Sequence, residues 1–152
     1  MKILHLIYDH INNPWVGGGA AVRCYEINRR LVQKGHEITV ISGKYPNAED
    51  YEKEGIRFKF VGSSRNYMLS VFSYAYKAIK FLKRYAKEYD IVIEDFAPWN
   101  PLFSKFFYKN SVLQIHHREG ENIFKKYFIA GLPFYLIERF YPKIFSNIIA
   151  VS

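Results

Sequence analysis

Cysteine is nearly absent: Cys24 stands alone in 152 residues. That excludes an intrachain disulfide and any cysteine-based zinc site, and it fits a reducing compartment. Acidic residues are few beside basic ones, 14 against 22, for a net charge of +8. The balance favours anionic partners, whether phosphorylated small molecules, an anionic membrane surface or nucleic acid. No nucleic-acid-binding motif accompanies the charge, so nucleic acid is not expected as a partner. Long apolar runs are missing too. The longest uncharged run of the aromatic region, Tyr127 to Ile137, is broken by Gly131-Leu132-Pro133, and no stretch reaches the length that spans a bilayer. Met1-Lys2 leads directly into a short β-like run, unlike the apolar core of a secretion signal. The expected location is cytoplasmic, peripheral at the inner face of the membrane if the basic surface is used there. Repeats, low-complexity tracts and linkers are also lacking.

What is present is a globular composition: 49% hydrophobic, 24% charged and 18% aromatic, with 13 Tyr and 13 Phe. At this length one domain with a sizeable core is expected. Strand-like runs alternate with helical ones. Lys2 to Tyr8 (KILHLIY) is almost continuously apolar, as in a strand covered on both faces. Ala20 to Lys34 places Ala20, Cys24, Ile27 and Leu31 at helical spacing and closes on Gly35. Further strands are expected at Glu37–Ser42, Ile56–Val61, Ile91–Glu94, Val112–Ile115 and Asn147–Val151. The alternation of Arg57 and Lys59 with Phe58 and Phe60 places the second of these near a sheet edge. Helices are expected over Tyr67–Glu88, Leu102–Tyr108, Glu121–Ile129 and Leu132–Phe145, and Gly43–Glu54 reads as a polar loop. The pattern predicts a Rossmann-like α/β fold, a doubly wound, mainly parallel sheet flanked by helices.

Ligands of such sheets gather at the carboxyl ends of the strands. Four motifs fall there: Gly17-Gly18-Gly19 after the first strand, Ser42-Gly43-Lys44 after the second, Glu94-Asp95, and His116-His117-Arg118-Glu119. Three glycines at the mouth of a helix permit positive φ and close approach, and leave N–H groups for an anion. They do not make a dinucleotide fingerprint, because Val22 occupies the third glycine position and no acid ends the second strand. That disfavours a nicotinamide-dependent oxidoreductase. They do not make a phosphate-binding P-loop either, since no Gly-Lys-Ser/Thr follows. His116 and His117 are consecutive and point to different faces; one facing the cleft suits a sugar hydroxyl or phosphate, the other a structural role. Asp95 suits orienting or deprotonating a hydroxyl, and equally suits capping the Asp95–Pro98 turn. His5 and His36 read as structural. On Tyr67–Glu88, Phe72, Tyr76, Ile79 and Leu82 read as one stripe, with Lys77, Lys80, Arg84 and Lys87 beside it. Together with Lys125-Lys126-Tyr127-Phe128 they suit either an anionic membrane or an ordinary solvated helix face.

With these motifs in order, the chain resembles the N-terminal domain of retaining glycosyltransferases of the GT-B fold, family 4. The passages that carry the likeness are KILHLIYDH, GGGAAVRCYEINRRLVQKGHEITVIS, DIVIEDFAPWNPLF, SVLQIHHREGE and NIIAVS. The resemblance implies transfer of a sugar from a nucleotide-sugar donor, such as a UDP- or GDP-sugar, to a hydroxyl of a lipid, glycan or small polyol. It implies that Gly17, Gly18 and Gly19 approach the donor diphosphate and that His116 faces the transferred sugar. Asp95 joins His116 as the second catalytic candidate. Trp15, Arg23, His117 and Glu119 are expected on the acceptor side. No cofactor or metal is expected; no Asp-x-Asp triplet is present. The family's second Rossmann-like domain, which carries most of the nucleotide site, is absent from these 152 residues. The chain is therefore expected to act as one half of such an enzyme and to be inactive alone. The alternative is a stand-alone binding or accessory module acting at a partner or a membrane surface.

Overall fold

The computed structural model describes residues 1–150. Strand β1 (Lys2–Leu6) explains the architecture best, because its side chains alternate between two cores. Ile3 and, just beyond the strand, Ile7 face helix α1 (Gly19–Gln33) together with Ile38, Val40 and Phe58. Leu4 and Leu6 face helix α2 (Tyr67–Tyr85), packing with Val71, Tyr74, Ala78 and Leu82. A strand buried on both faces has no polar side to offer, which is why this stretch reads as a continuous apolar run. His5 is the exception, fully buried on the α1 side.

The remaining strands are β2 (Glu37–Gly43), β3 (Tyr51–Lys53), β4 (Ile56–Val61), β5 (Ile91–Asp95), β6 (Ser111–Ile115) and β7 (Ile148–Ala150). Short helices α3 (Ser104–Phe107), α4 (Asn122–Tyr127) and α5 (Leu132–Phe140) complete the crossovers. Among the described residues the sheet has seven strands in the order β3-β4-β2-β1-β5-β6-β7, parallel except for the β3–β4 pair. This is the expected doubly wound α/β arrangement. The winding reverses between β1 and β5, which opens a crevice beyond their carboxyl ends.

Several expectations are corrected. The Gly43–Glu54 segment is not all loop: it contains β3, which pairs with β4 through a two-residue turn at Glu54 and Gly55, both at positive φ. Hence β4 lies one strand inside the edge. The long helix expected to Phe145 stops at Phe140, and Tyr141–Ile144 forms a 3₁₀ turn around Pro142, which cannot donate to a continuing helix. The helix expected over Leu102–Tyr108 shrinks to α3. On α2 the predicted stripe divides, with Leu82 buried in the core and Phe72 and Tyr76 exposed. Gly35, at φ +85, does close α1, its N–H bonding Val32 O at 2.8 Å. Gly17, Gly18 and Gly19 do not use positive φ. Val151, the last residue of the expected final strand, lies outside the described residues.

Candidate functional site

The crevice beyond β1 and β5 holds a cavity of about 200 Å³. Asp9, Ala20, Asp95, Trp99, His116 and Glu119 contribute to its walls. They arrive from the loop after β1, the start of α1, the end of β5 and its following loop, and the loop after β6.

Asp95 is the hub. Its side chain is 6% exposed. Oδ1 accepts from His5 Nε2 at 3.1 Å and Oδ2 from His116 Nε2 at 2.8 Å. Burial alone would raise the Asp95 carboxyl, but the charge of His5 and the hydrogen bonds from both imidazoles outweigh it and hold Asp95 below the ordinary carboxylate value. An ionised carboxylate only accepts, so Nε2 of His116 carries a proton and Nδ1 is left for other work. Behind Asp95, burial opposes charge on His5, yet Cys24 and Asp95 pull its proton on and the balance lies well above the usual imidazole range. The second ring nitrogen of His5 finds Asn28 Oδ1 at 3.3 Å. A polar chain Asn28–His5–Asp95–His116 therefore runs from the buried face of α1 to the cavity wall. Such a chain orients its last member rigidly, because every earlier member is buried and bonded.

Asp9 completes the cavity floor. None of the side-chain hydrogen bonds among the described residues ends on its carboxylate. Burial and the nearby Asp95 charge raise its pKa from 3.8 to about 6, with His116 pulling the other way. Two other acids serve structure. Glu94 is buried and accepts from Leu102 N at 2.8 Å, Ser104 N at 3.0 Å and Tyr141 Oη at 2.6 Å, tying α3 and the Tyr141 turn to β5. Glu138 accepts from the N–H groups of Glu119 and Gly120 at 2.6 and 2.8 Å and so fixes the loop after β6.

The start of α1 lies at the cavity as well, through Ala20. Its N-cap, Gly18, brings no side-chain hydrogen bond, and the first turn has no acid. The first intrahelical bond runs from Ala21 N–H to Gly18 O, which leaves the N–H groups of Gly19 and Ala20 for an outside acceptor. A Cβ on Gly19 would meet nothing within 4 Å, and one on Gly18 would reach Asp9 Oδ2 at 3.9 Å. The glycines thus keep the helix mouth open rather than supplying unusual dihedrals. Of the other expected residues, His116, Asp95, His117 and Glu119 converge on the cavity. His117 is 72% exposed at its mouth, and Glu119 pairs with Lys126 at 2.6 Å. Trp15 packs instead against the core beneath α1, and Arg23 is not among the lining residues. Asp9 escaped the sequence reading, and His5 was read there only as a structural histidine. Asp9 carried one usable signal, its place just past the carboxyl end of the first strand; His5, inside an apolar strand, carried none that distinguishes a relay from a buried structural histidine. Among the described residues no group of three or more His, Cys, Asp or Glu side chains is disposed to hold a metal ion.

Compared with known families, residues 17–152 match the profile of Glycosyltransferase Family 4. Among curated proteins none matches.

Proposed function

The chain belongs to Glycosyltransferase Family 4, and from that premise we propose that it is the acceptor-binding half of a glycosyltransferase that moves a sugar, with retention, from a nucleotide-sugar to an acceptor hydroxyl. The observation that carries the reading is the Asn28–His5–Asp95–His116 chain opening into a cavity at the strand-order reversal. His116, held by Asp95, faces the transferred sugar and hydrogen-bonds it. Asp95, with both oxygens taken and its basicity lowered, is a positioning residue rather than a base. Asp9 suits the acceptor: a carboxylate titrating near pH 6 is ionised at neutral pH and still basic enough to receive a hydroxyl proton.

In the transfer, the bond from the anomeric carbon to the diphosphate oxygen breaks and its electron pair stays on the diphosphate. A bond forms from that carbon to the acceptor oxygen on the face from which the diphosphate leaves, as retention in one step requires, and the hydroxyl proton passes to Asp9. The free N–H groups at the mouth of α1 receive the diphosphate charge that develops, an electrostatic contribution to catalysis. A second domain supplies the rest of the nucleotide site, and the reaction calls for no resident cofactor. The lone thiol, Cys24, is buried and suits a cytoplasmic setting.

The test is sugar transfer by the full-length protein, with UDP- and GDP-sugars as donors and a panel of lipid, glycan and polyol acceptors. His116→Ala should lower kcat/KM by about 100-fold or more while the protein stays folded. Transfer that survives His116→Ala undiminished would refute the assignment.

A further inference from the structure

A second cavity, of about 300 Å³, adjoins the first and shares Trp99 with it. It lies between α2 and the α4–α5 region, walled by Tyr67, Met68, Phe72, Trp99, Tyr127 and Phe134. Among the described residues no charged side chain lines it. A pocket that carries carboxylates and imidazoles beside a groove without charged side chains fits an amphipathic ligand, with its hydroxyl in one and its hydrocarbon in the other.

The surface around the groove repeats the message. Met68, Phe72 and Tyr76, spaced four residues apart along α2, are 58%, 60% and 66% exposed. Beside Tyr127, Phe128 and Ile129 are 80% and 87% exposed, the highest values of any large hydrophobic residue described. Phe128 also holds φ at +50°, a costly conformation for an aromatic residue, in the turn that presents it. No helix among the described residues is long and apolar enough to cross a membrane.

Charge decides what covers this face. Helix α2 contains no acid, and residues 122–150 contain one, Glu138, which is buried and used on the loop after β6. The exposed charges on these segments are therefore all positive, Lys80, Lys83, Lys125 and Arg139 among them. Lys126 is answered by Glu119. Protruding apolar side chains on segments whose exposed charges are all positive are complementary to an anionic bilayer surface.

We propose that this face docks on an anionic membrane and that the groove takes the hydrocarbon chain of a membrane lipid whose hydroxyl is the acceptor. The second half rests on the transferase reading above; the docking does not. The test is flotation of the full-length protein with vesicles containing about one-third phosphatidylglycerol, against vesicles of phosphatidylcholine alone. Binding should be at least about tenfold tighter to the anionic vesicles, should weaken with salt, and should fall about tenfold or more in a Phe128→Ser, Ile129→Ser double variant. No flotation, or equal flotation of that variant, overturns the docking. A dimer that the same variant dissociates, with no vesicle binding, also overturns it and makes a second copy the occupant. For the groove, vesicles with bromine on the acyl chains should quench the Trp99 emission, read as the difference between the protein and its Trp99→Phe variant, by roughly half or more. Met68→Ser with Phe72→Ser should abolish that quenching. Flotation without quenching overturns the groove assignment. Flotation and quenching in a protein that transfers no sugar would sink the transferase reading and leave the docking standing.

Discussion

Replacing Asp9 by asparagine should make the protein more stable, and by an amount that depends on pH. In the folded chain the Asp9 carboxyl is raised from 3.8 to about 6 by burial and by the Asp95 charge. A raised acid binds its proton more tightly in the native state than in the unfolded chain. Below about pH 4 both states are protonated and the group contributes nothing. Above about pH 6 the native state carries a poorly solvated anion that the unfolded chain holds in water, so stability falls across that interval. At about 1.4 kcal/mol per pH unit the full penalty is about 3 kcal/mol, and allowing for the solvent that still reaches the carboxyl leaves about 2 kcal/mol. Asp9→Asn removes the charge with little change of shape. Urea unfolding should show equal stability near pH 4 and a gain of about 2 kcal/mol near pH 8, equivalent to a rise of about 4–8 °C in Tm. Transfer by the full-length protein should fall at the same time, because an amide cannot take the hydroxyl proton. Such opposition between stability and activity is the mark of a strained functional group. A difference that stays flat with pH would refute the argument. It would mean that the free N–H groups at the mouth of α1, beside Gly18, already hold the Asp9 charge.

Two further outcomes test the scaffold. Glu94→Ala should cost about 3 kcal/mol or more in urea unfolding, since two backbone N–H groups and the Tyr141 hydroxyl lose a buried acceptor; a cost below about 1 kcal/mol would show that water replaces the carboxylate. Gly43→Ala should destabilise by about 1–3 kcal/mol, because its Cβ would run into the Tyr8 ring at the carboxyl end of β2; a neutral substitution would show that Tyr8 can swing aside.

The alternation of apolar strands with amphipathic helices was legible residue by residue, because a period near two or near 3.6 is a local property. So was the end of α1, where Lys34-Gly35 offers the one residue that enters the left-handed region at low cost. The short strand β3 hid in a polar segment, since three residues carry too little periodicity, although the Glu54-Gly55 turn was there to be read. Which flank of α2 meets the core was not local at all. Packing against the sheet buried Val71, Tyr74, Ala78 and Leu82 and left Phe72 and Tyr76 outside. The site divides in the same way. His116, Asp95 and the open helix mouth at Gly17–Gly19 stood out as polar or flexible residues at the ends of strands, where parallel sheets bind ligands. Their roles did not. Asp95 becomes a weakly basic hub only because the pairing of β1 with β5 brings His5 within 3.1 Å across 90 residues of sequence. Asp9 becomes the more basic acid only because Asp95 and the crevice walls surround it. Residue types and local periodicity were set by the chain. Proton affinities and exposed faces came from what the fold placed beside each group, because desolvation and charge act through space rather than along the sequence.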